Sequence, residues 1–92
     1  MVPARIPISD TLIGSLWREA DSLRRRSSQV LGDMGRCQDT QLLARLRREL
    51  AELEQRRREL LQAAQGWQRR GVAEPLGLAL LVELSRRPLR AA

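Results

Sequence analysis

An all-α fold follows from three observations on the sequence. Positions 43, 46, 50, 53, 57, 60, 64 and 67 are Leu43, Leu46, Leu50, Leu53, Arg57, Leu60, Ala64 and Trp67. That is an unbroken alternation of three and four, the seam of a coiled-coil helix. A second seam of the same spacing runs through Ile13, Leu16, Ala20, Leu23, Ser27 and Val30. Between the two lie Gly32 and Gly35, which suit a turn. The sequence therefore predicts an antiparallel two-helix coiled-coil hairpin, about 10–31 and 39–67, with a short third helix at about 75–87.

Each element has its own local reasons. Residues 1–8 carry Pro3 and Pro7 and are expected to be irregular, with 9–92 forming a single helical domain. Ser9 suits an N-cap, and Ile8 with Ile13 suits a hydrophobic staple. Asp10 and Glu19 in the first half of helix one, with Arg24 to Arg26 in the second, complement the helix dipole. Gly32 and Gly35 are expected to end that helix, and Asp39 to cap the next. The hairpin then spans 9–67, and Gly66, Gly71 and Pro75 bracket a break after Trp67. A C-terminal helix over 74–87 has Pro75 in its first turn, and Pro88 ends it before a tail at 88–92. Its Leu76, Leu80, Leu81 and Leu84 fall on one face, expected to fold back onto Leu61 and Trp17.

The two seams match when paired residues have numbers that add to 73: Val30 with Leu43, Leu23 with Leu50, Ile13 with Leu60. This register sets Glu19 near Arg56 and Arg26 near Glu49 on one flank, and Arg24 near Arg47 on the other. It also sets Leu16 against Arg57, which interrupts the seam. The Arg57 stem is expected to run past Leu16 toward water. The alternative is a polar device that sets register or binds a partner carboxylate. A competing arrangement pairs helix two with its own copy, numbers adding to 103.

All 17 basic residues are Arg, and the net charge is +6. Lys, Asn, Tyr, Phe and His are absent together, a pattern that a GC-rich coding sequence explains. The charge still favours acidic partners, whatever its origin. With aromatics at 2%, the core must be built from Leu, Ala, Val and Ile. Cys37 is the single cysteine and has no internal disulfide partner. Met1 to Thr11 lacks an apolar signal-like run, and the apolar stretch Leu76 to Val82 is too short to span a bilayer. A cytoplasmic location without integral membrane association is the expectation.

Without His there is no imidazole base and no common metal ligand set. No glycine loop follows a strand to cradle phosphate, and the carboxylates form no evident inward pair. No catalytic, cofactor-binding or metal-binding residue is therefore assigned, and the chain is not expected to be an enzyme. Two surfaces remain. From Arg24 to Arg48, seven arginines against Asp33 and Asp39 leave +5 on the loop half of the hairpin. Arg24, Arg25, Arg26, Arg45, Arg47 and Arg48 are the candidate contacts to an anionic partner. Leu12, Trp17, Leu31, Leu42 and Leu61 lie beside the seams and are candidates for a helix-partner or dimer surface. A basic antiparallel hairpin over Asp10 to Trp67 resembles, in architecture alone and without a shared motif, the tRNA-binding arm of seryl-tRNA synthetase. The expected function is a non-enzymatic coiled-coil protein–protein interaction module, an adaptor, chaperone-like subunit or small regulator, with a homodimer among its assemblies. The alternative is sequence-nonspecific RNA or DNA binding through the arginine-rich arm.

Overall fold

The structure, a computed structural model, describes residues 10–71 and 73–89. The proline-containing segment 1–8, the Ser9 cap with its Ile8 staple, and the end of the tail lie outside the described residues. Three helices follow one another: α1 (Asp10–Arg36), α2 (Thr40–Arg70) and α3 (Pro75–Arg86). The two long helices form the expected antiparallel hairpin, and α3 folds back along one end of it. The result measures 62 × 20 × 19 Å.

The heptad pattern placed the seams correctly. Ile13, Ala20, Leu23, Ser27 and Val30 of α1 are buried, as are Leu46, Leu50, Arg57, Leu60 and Ala64 of α2. On one flank Arg26 donates to Glu49 at 2.5 and 2.8 Å, and Arg56 chelates Glu19. Both ion pairs are those the register requires. Because α1 fills the α2 seam within the chain, that seam is not free to pair with a second copy.

The turn is tighter than the glycines suggested. Helix α1 continues through Gly32 and Gly35 to Arg36, leaving only Cys37 to Asp39 as the connection. A glycine inside a helix costs up to about 1 kcal/mol. The added turn brings Met34 and Cys37, beside Leu31, against a cluster of Val30, Leu46 and Leu50. Full burial of a large apolar side chain contributes about 1.5–3 kcal/mol, so the partial burial of Met34 and Cys37 offsets the cost of the two glycines. Asp39 caps α2 as expected, its Oδ1 accepting from the backbone N–H of Gln41 at 2.9 Å and Leu42 at 3.3 Å.

Helix α2 runs past Gly66 and Trp67 to Arg70 and stops at Gly71, whose φ of 63° lies in the left-handed region that glycine favours. Glu74 then caps α3 by accepting from Leu76 N at 3.0 Å and Gly77 N at 2.6 Å. The inward face of α3 differs from the expected one. Leu78, Leu81, Val82 and Ser85 are buried and Leu84 is half-buried, while Leu76 and Leu80 face outward. The reason is composition: α3 is apolar around most of its circumference, so several faces could pack, and the short link from Gly71 sets which one does. Gly77 lies over Ile13, with room for a methyl group only in tight contact, its ideal Cβ 3.4 Å from Ile13 Cγ2.

Two hydrophobic clusters result. At the base, three helices enclose Ala20, Leu23, Leu60, Ala64, Leu81, Val82 and Leu89. Beyond the end of α3, two helices alone enclose Val30, Leu46 and Leu50. Leu53 packs against both. The molecule is thus a three-helix base carrying a two-helix arm.

Candidate functional site

The densest polar arrangement joins all three helices where base meets arm. Arg57 is only 8% exposed. Its Nε and Nη2 fork onto both oxygens of Glu54 at 2.8 and 2.7 Å, and its Nη1 donates to the carbonyls of Ser85 at 2.8 Å and Arg86 at 3.3 Å. From the other side, Arg24 donates to Leu84 O at 2.6 Å and Arg87 O at 2.7 Å. The last carbonyls of a helix have no partner within it and carry partial negative charge. Here two guanidinium groups, one from each long helix, satisfy them at the end of α3. Glu54 completes the set by accepting from Leu89 N at 2.9 Å. The Arg57 fork, outweighing partial burial, holds the Glu54 carboxyl down at about 2. Burial, with the charges of Arg87 and Arg57 nearby, lowers the Arg24 pKa below the ordinary arginine value. The expectation that Arg57 reaches water is therefore corrected: it is buried and holds a helix end. So is the expected approach of Arg24 to Arg47.

This socket changes how the basic candidates look. Arg24 is committed to α3, Arg26 to Glu49, and Arg25 pairs with Asp21 at 2.6 Å on an exposed face. Arg45, Arg47 and Arg48 are exposed and make no hydrogen bond or ion pair among the described residues. The arm as the fold defines it runs from 25 to 52. Its six arginines stand against four carboxylates, which leaves +2 of the total +6. The described base, 10–24 and 53–89, holds nine arginines against seven carboxylates, again +2. The charge is spread along the rod rather than gathered on the arm.

The apolar candidates also separate. Glu19 and Arg26, seven residues apart, mark the flank of α1 that faces Arg56 and Glu49. Leu12 is in step with Glu19, and Leu42 with Glu49, so both lie on that flank at opposite ends of the hairpin. Trp17 is in step with Arg24 and lies on the α3 side. Leu31 and Leu61 pack against the two hydrophobic clusters. Among the described residues, the most exposed of the large apolar side chains are two that the expected helix face turns inward: Leu76, 65% exposed, and Leu80, 48%. Trp17, 38% exposed, sits one turn along α1 from Ile13, level with Leu80 and Leu81 of α3. Trp17, Leu76 and Leu80 thus share the side where α1 and α3 lie together. The signal for this patch was in the sequence: Leu76 to Val82 is apolar without interruption, and a surface helix can bury only one stripe.

Surface depressions occur at the hairpin tip, beside Cys37 and Leu46, and next to the α3 end, beside Glu54 and Pro88; neither is enclosed. Among the described residues no group of three or more Cys, Asp and Glu is placed to hold a metal ion, and no helix is long and apolar enough to cross a membrane. No family model matches the chain, and no curated protein and no solved structure matches it, so its function must be argued from its own residues.

Proposed function

We propose that the protein is a non-enzymatic helical docking module that binds another polypeptide through the apolar side shared by α1 and α3. The observation that carries this is the exposure of Leu76, Leu80 and Trp17 together on one side of a small domain. Large apolar side chains gathered on one side mark interaction surfaces, whereas isolated ones are ordinary. Trp is also the residue type most enriched among binding hot spots. The adaptor or small-regulator roles expected from the coiled-coil seam fit such a surface. A protein captured by the immobilised chain should be lost with Leu76→Ser/Leu80→Ser, should be kept with Arg47→Gln/Arg48→Gln, and should resist about 0.5 M salt, because apolar burial is little screened.

A second reading, binding of RNA or DNA without sequence preference, is favoured by one observation: Arg45, Arg47 and Arg48 are exposed and uncommitted. With Arg24 and Arg26 engaged elsewhere, four arginines remain for phosphates rather than six. The log–log salt slope on duplex would then be about −3.6 at most. A slope near zero, or no retention on nucleic acid at low salt, would exclude it.

A further inference from the structure

The end of α3 gathers more positive charge than its neighbours neutralise. Arg57 forks onto Glu54, and Arg58 approaches the same carboxylate at 3.7 Å. Arg24 holds the Leu84 and Arg87 carbonyls, which brings Arg87 to the same place. Arg24, Arg57, Arg58 and Arg87 against Glu54 alone leave +3. The partial charge of the helix end offsets only about half a unit of this. Besides burial, the charges of Arg87 and Arg57 push the Arg24 pKa down. Neighbouring acids are taken: Glu83 pairs with Arg86 at 3.8 Å and Asp21 with Arg25 at 2.6 Å.

A depression of about 330 Å³ opens beside this cluster, lined by Ala51, Glu54, Arg58 and Pro88. Arg47, Ala51, Glu54 and Arg58 are spaced four, three and four, so they form one stripe of α2. Arg47 and Arg58 thus stand at the two ends of a floor made by the Ala51 methyl, and Arg87 precedes Pro88 on the far lip. All three arginines are exposed. The Arg47 and Arg87 side chains make no hydrogen bond or ion pair among the described residues, and Arg58 meets Glu54 only beyond hydrogen-bond distance. Glu54 has both oxygens engaged by Arg57, and Oε1 also accepts from Leu89 N.

We infer that this depression is a binding site for a phosphate group, held by Arg58 with Arg47 and Arg87 at its lips. It is a separate surface from the apolar side shared by α1 and α3. Charge selects the ligand. The guanidinium fork matches carboxylate and phosphate alike in shape. A phosphate monoester carries about −1.5 to −2 at pH 7 and three acceptor oxygens. A carboxylate carries a single charge and leaves most of the excess in place. Ala51 leaves the floor between the two arginines open, where a longer side chain would fill it. Free phosphate and a phosphate carried on a larger molecule present the same group, and the depression is open enough to admit either.

The test is titration of the full chain with inorganic phosphate, at constant ionic strength to hold screening fixed, read by backbone amide chemical shifts. The shifts should saturate and concentrate near Ala51, Glu54, Arg58 and Leu89, and acetate should not produce them. Arg58→Gln should weaken the apparent affinity about tenfold or more, as loss of one charge-assisted contact implies. Its melting temperature should be unchanged, because the Arg58–Glu54 contact is long and the Arg58 side chain exposed. Ala51→Glu, at an exposed position, puts a carboxylate on the floor and should abolish the shifts. Arg45→Gln, on the Glu49 flank of α2, should change nothing. Shifts that do not saturate, an equal response to acetate, or equal loss with Arg45→Gln would mean diffuse charge only and overturn the inference. A thymidine dinucleotide with and without a terminal phosphate separates the sources. Tighter binding of the phosphorylated form, lost with Arg58→Gln, assigns a phosphate carried on a larger molecule; a response to inorganic phosphate alone assigns the free ion. If both dinucleotides bind alike, unaffected by Arg58→Gln, and inorganic phosphate does not bind, the site is wrong and the nucleic-acid reading stands.

Discussion

Arg57 stands where the heptad asks for an apolar side chain, and the fold gives its charge a use. Removing one partner of a buried ion pair costs about 3–5 kcal/mol, because the other charge is left uncompensated. Glu54→Gln should therefore lower stability by about 3 kcal/mol at neutral pH, measured by thermal or urea unfolding. The sign of the pH dependence follows from the depressed Glu54 carboxyl. Its stabilisation is complete above the ordinary value of 4.5 and is lost as pH falls toward about 2. The melting temperature should be flat from about pH 7 to 5 and then fall, and Glu54→Gln should remove the Glu54 share of that fall. The part due to Glu19, Glu49 and Glu74 should remain, since their carboxyls are also held below the usual range by Arg56, Arg26 and the α3 cap. Ser85 gives the converse case: its Oγ is buried without a hydrogen-bond partner. Ser85→Ala should be neutral or stabilise by up to about 1 kcal/mol, since an unsatisfied buried hydroxyl is removed and little volume is lost. The sequence shows that Arg57 breaks the seam, and a register device was one of its two readings. It could not name the partners, because these are backbone carbonyls 28 and 29 residues away on a helix whose docking position is set by tertiary packing.

At the scale of elements, the caps and seams were legible and the glycines misled. Asp39 and Gly71 act through their own backbone neighbours, so local sequence suffices to read them. Gly32 and Gly35 stay helical because Met34 and Cys37 beyond Gly32 gain contacts with the Val30, Leu46 and Leu50 cluster, which no local rule contains. The outward face of α3 was missed for the related reason that an almost wholly apolar helix does not declare its buried stripe. Gly71 provides the test at this scale. Its φ of 63° costs an L-residue about 1–2 kcal/mol, so Gly71→Ala should destabilise by about that amount. The same change at Gly35, where an added Cβ meets nothing within 4 Å and φ is ordinary, should stabilise by up to about 1 kcal/mol. Chemical denaturation of the two variants side by side would check both signs.

For the whole molecule, base and arm differ in how much covers them. Residues of α2 such as Leu60 and Ala64 are enclosed by two other helices, whereas Leu46 is covered by one. Native-state hydrogen exchange should accordingly be slowest near 57–64 and markedly faster near 42–48, although α2 is a single unbroken helix. Equal protection along α2 would mean that the arm is as cooperative as the base. The charge balance also belongs to this scale. A window from Arg24 to Arg48 suggests a basic arm at +5, but Arg24 belongs to the socket and Glu49 and Glu52 fall on the arm side of it, which leaves +2 on the arm and +2 on the described base. Only the fold shows where the arm begins.

Because α2 belongs to base and arm alike, the rod behaves as a lever. From Glu54 to Thr40 the helix extends by about 21 Å with no proline or glycine to bend it. A partner that rocks the base by 10° would swing the hairpin tip by roughly 4 Å. Whatever grips the α3 side therefore also aims the tip, and Arg24 and Arg57 form the fulcrum across which that motion is passed.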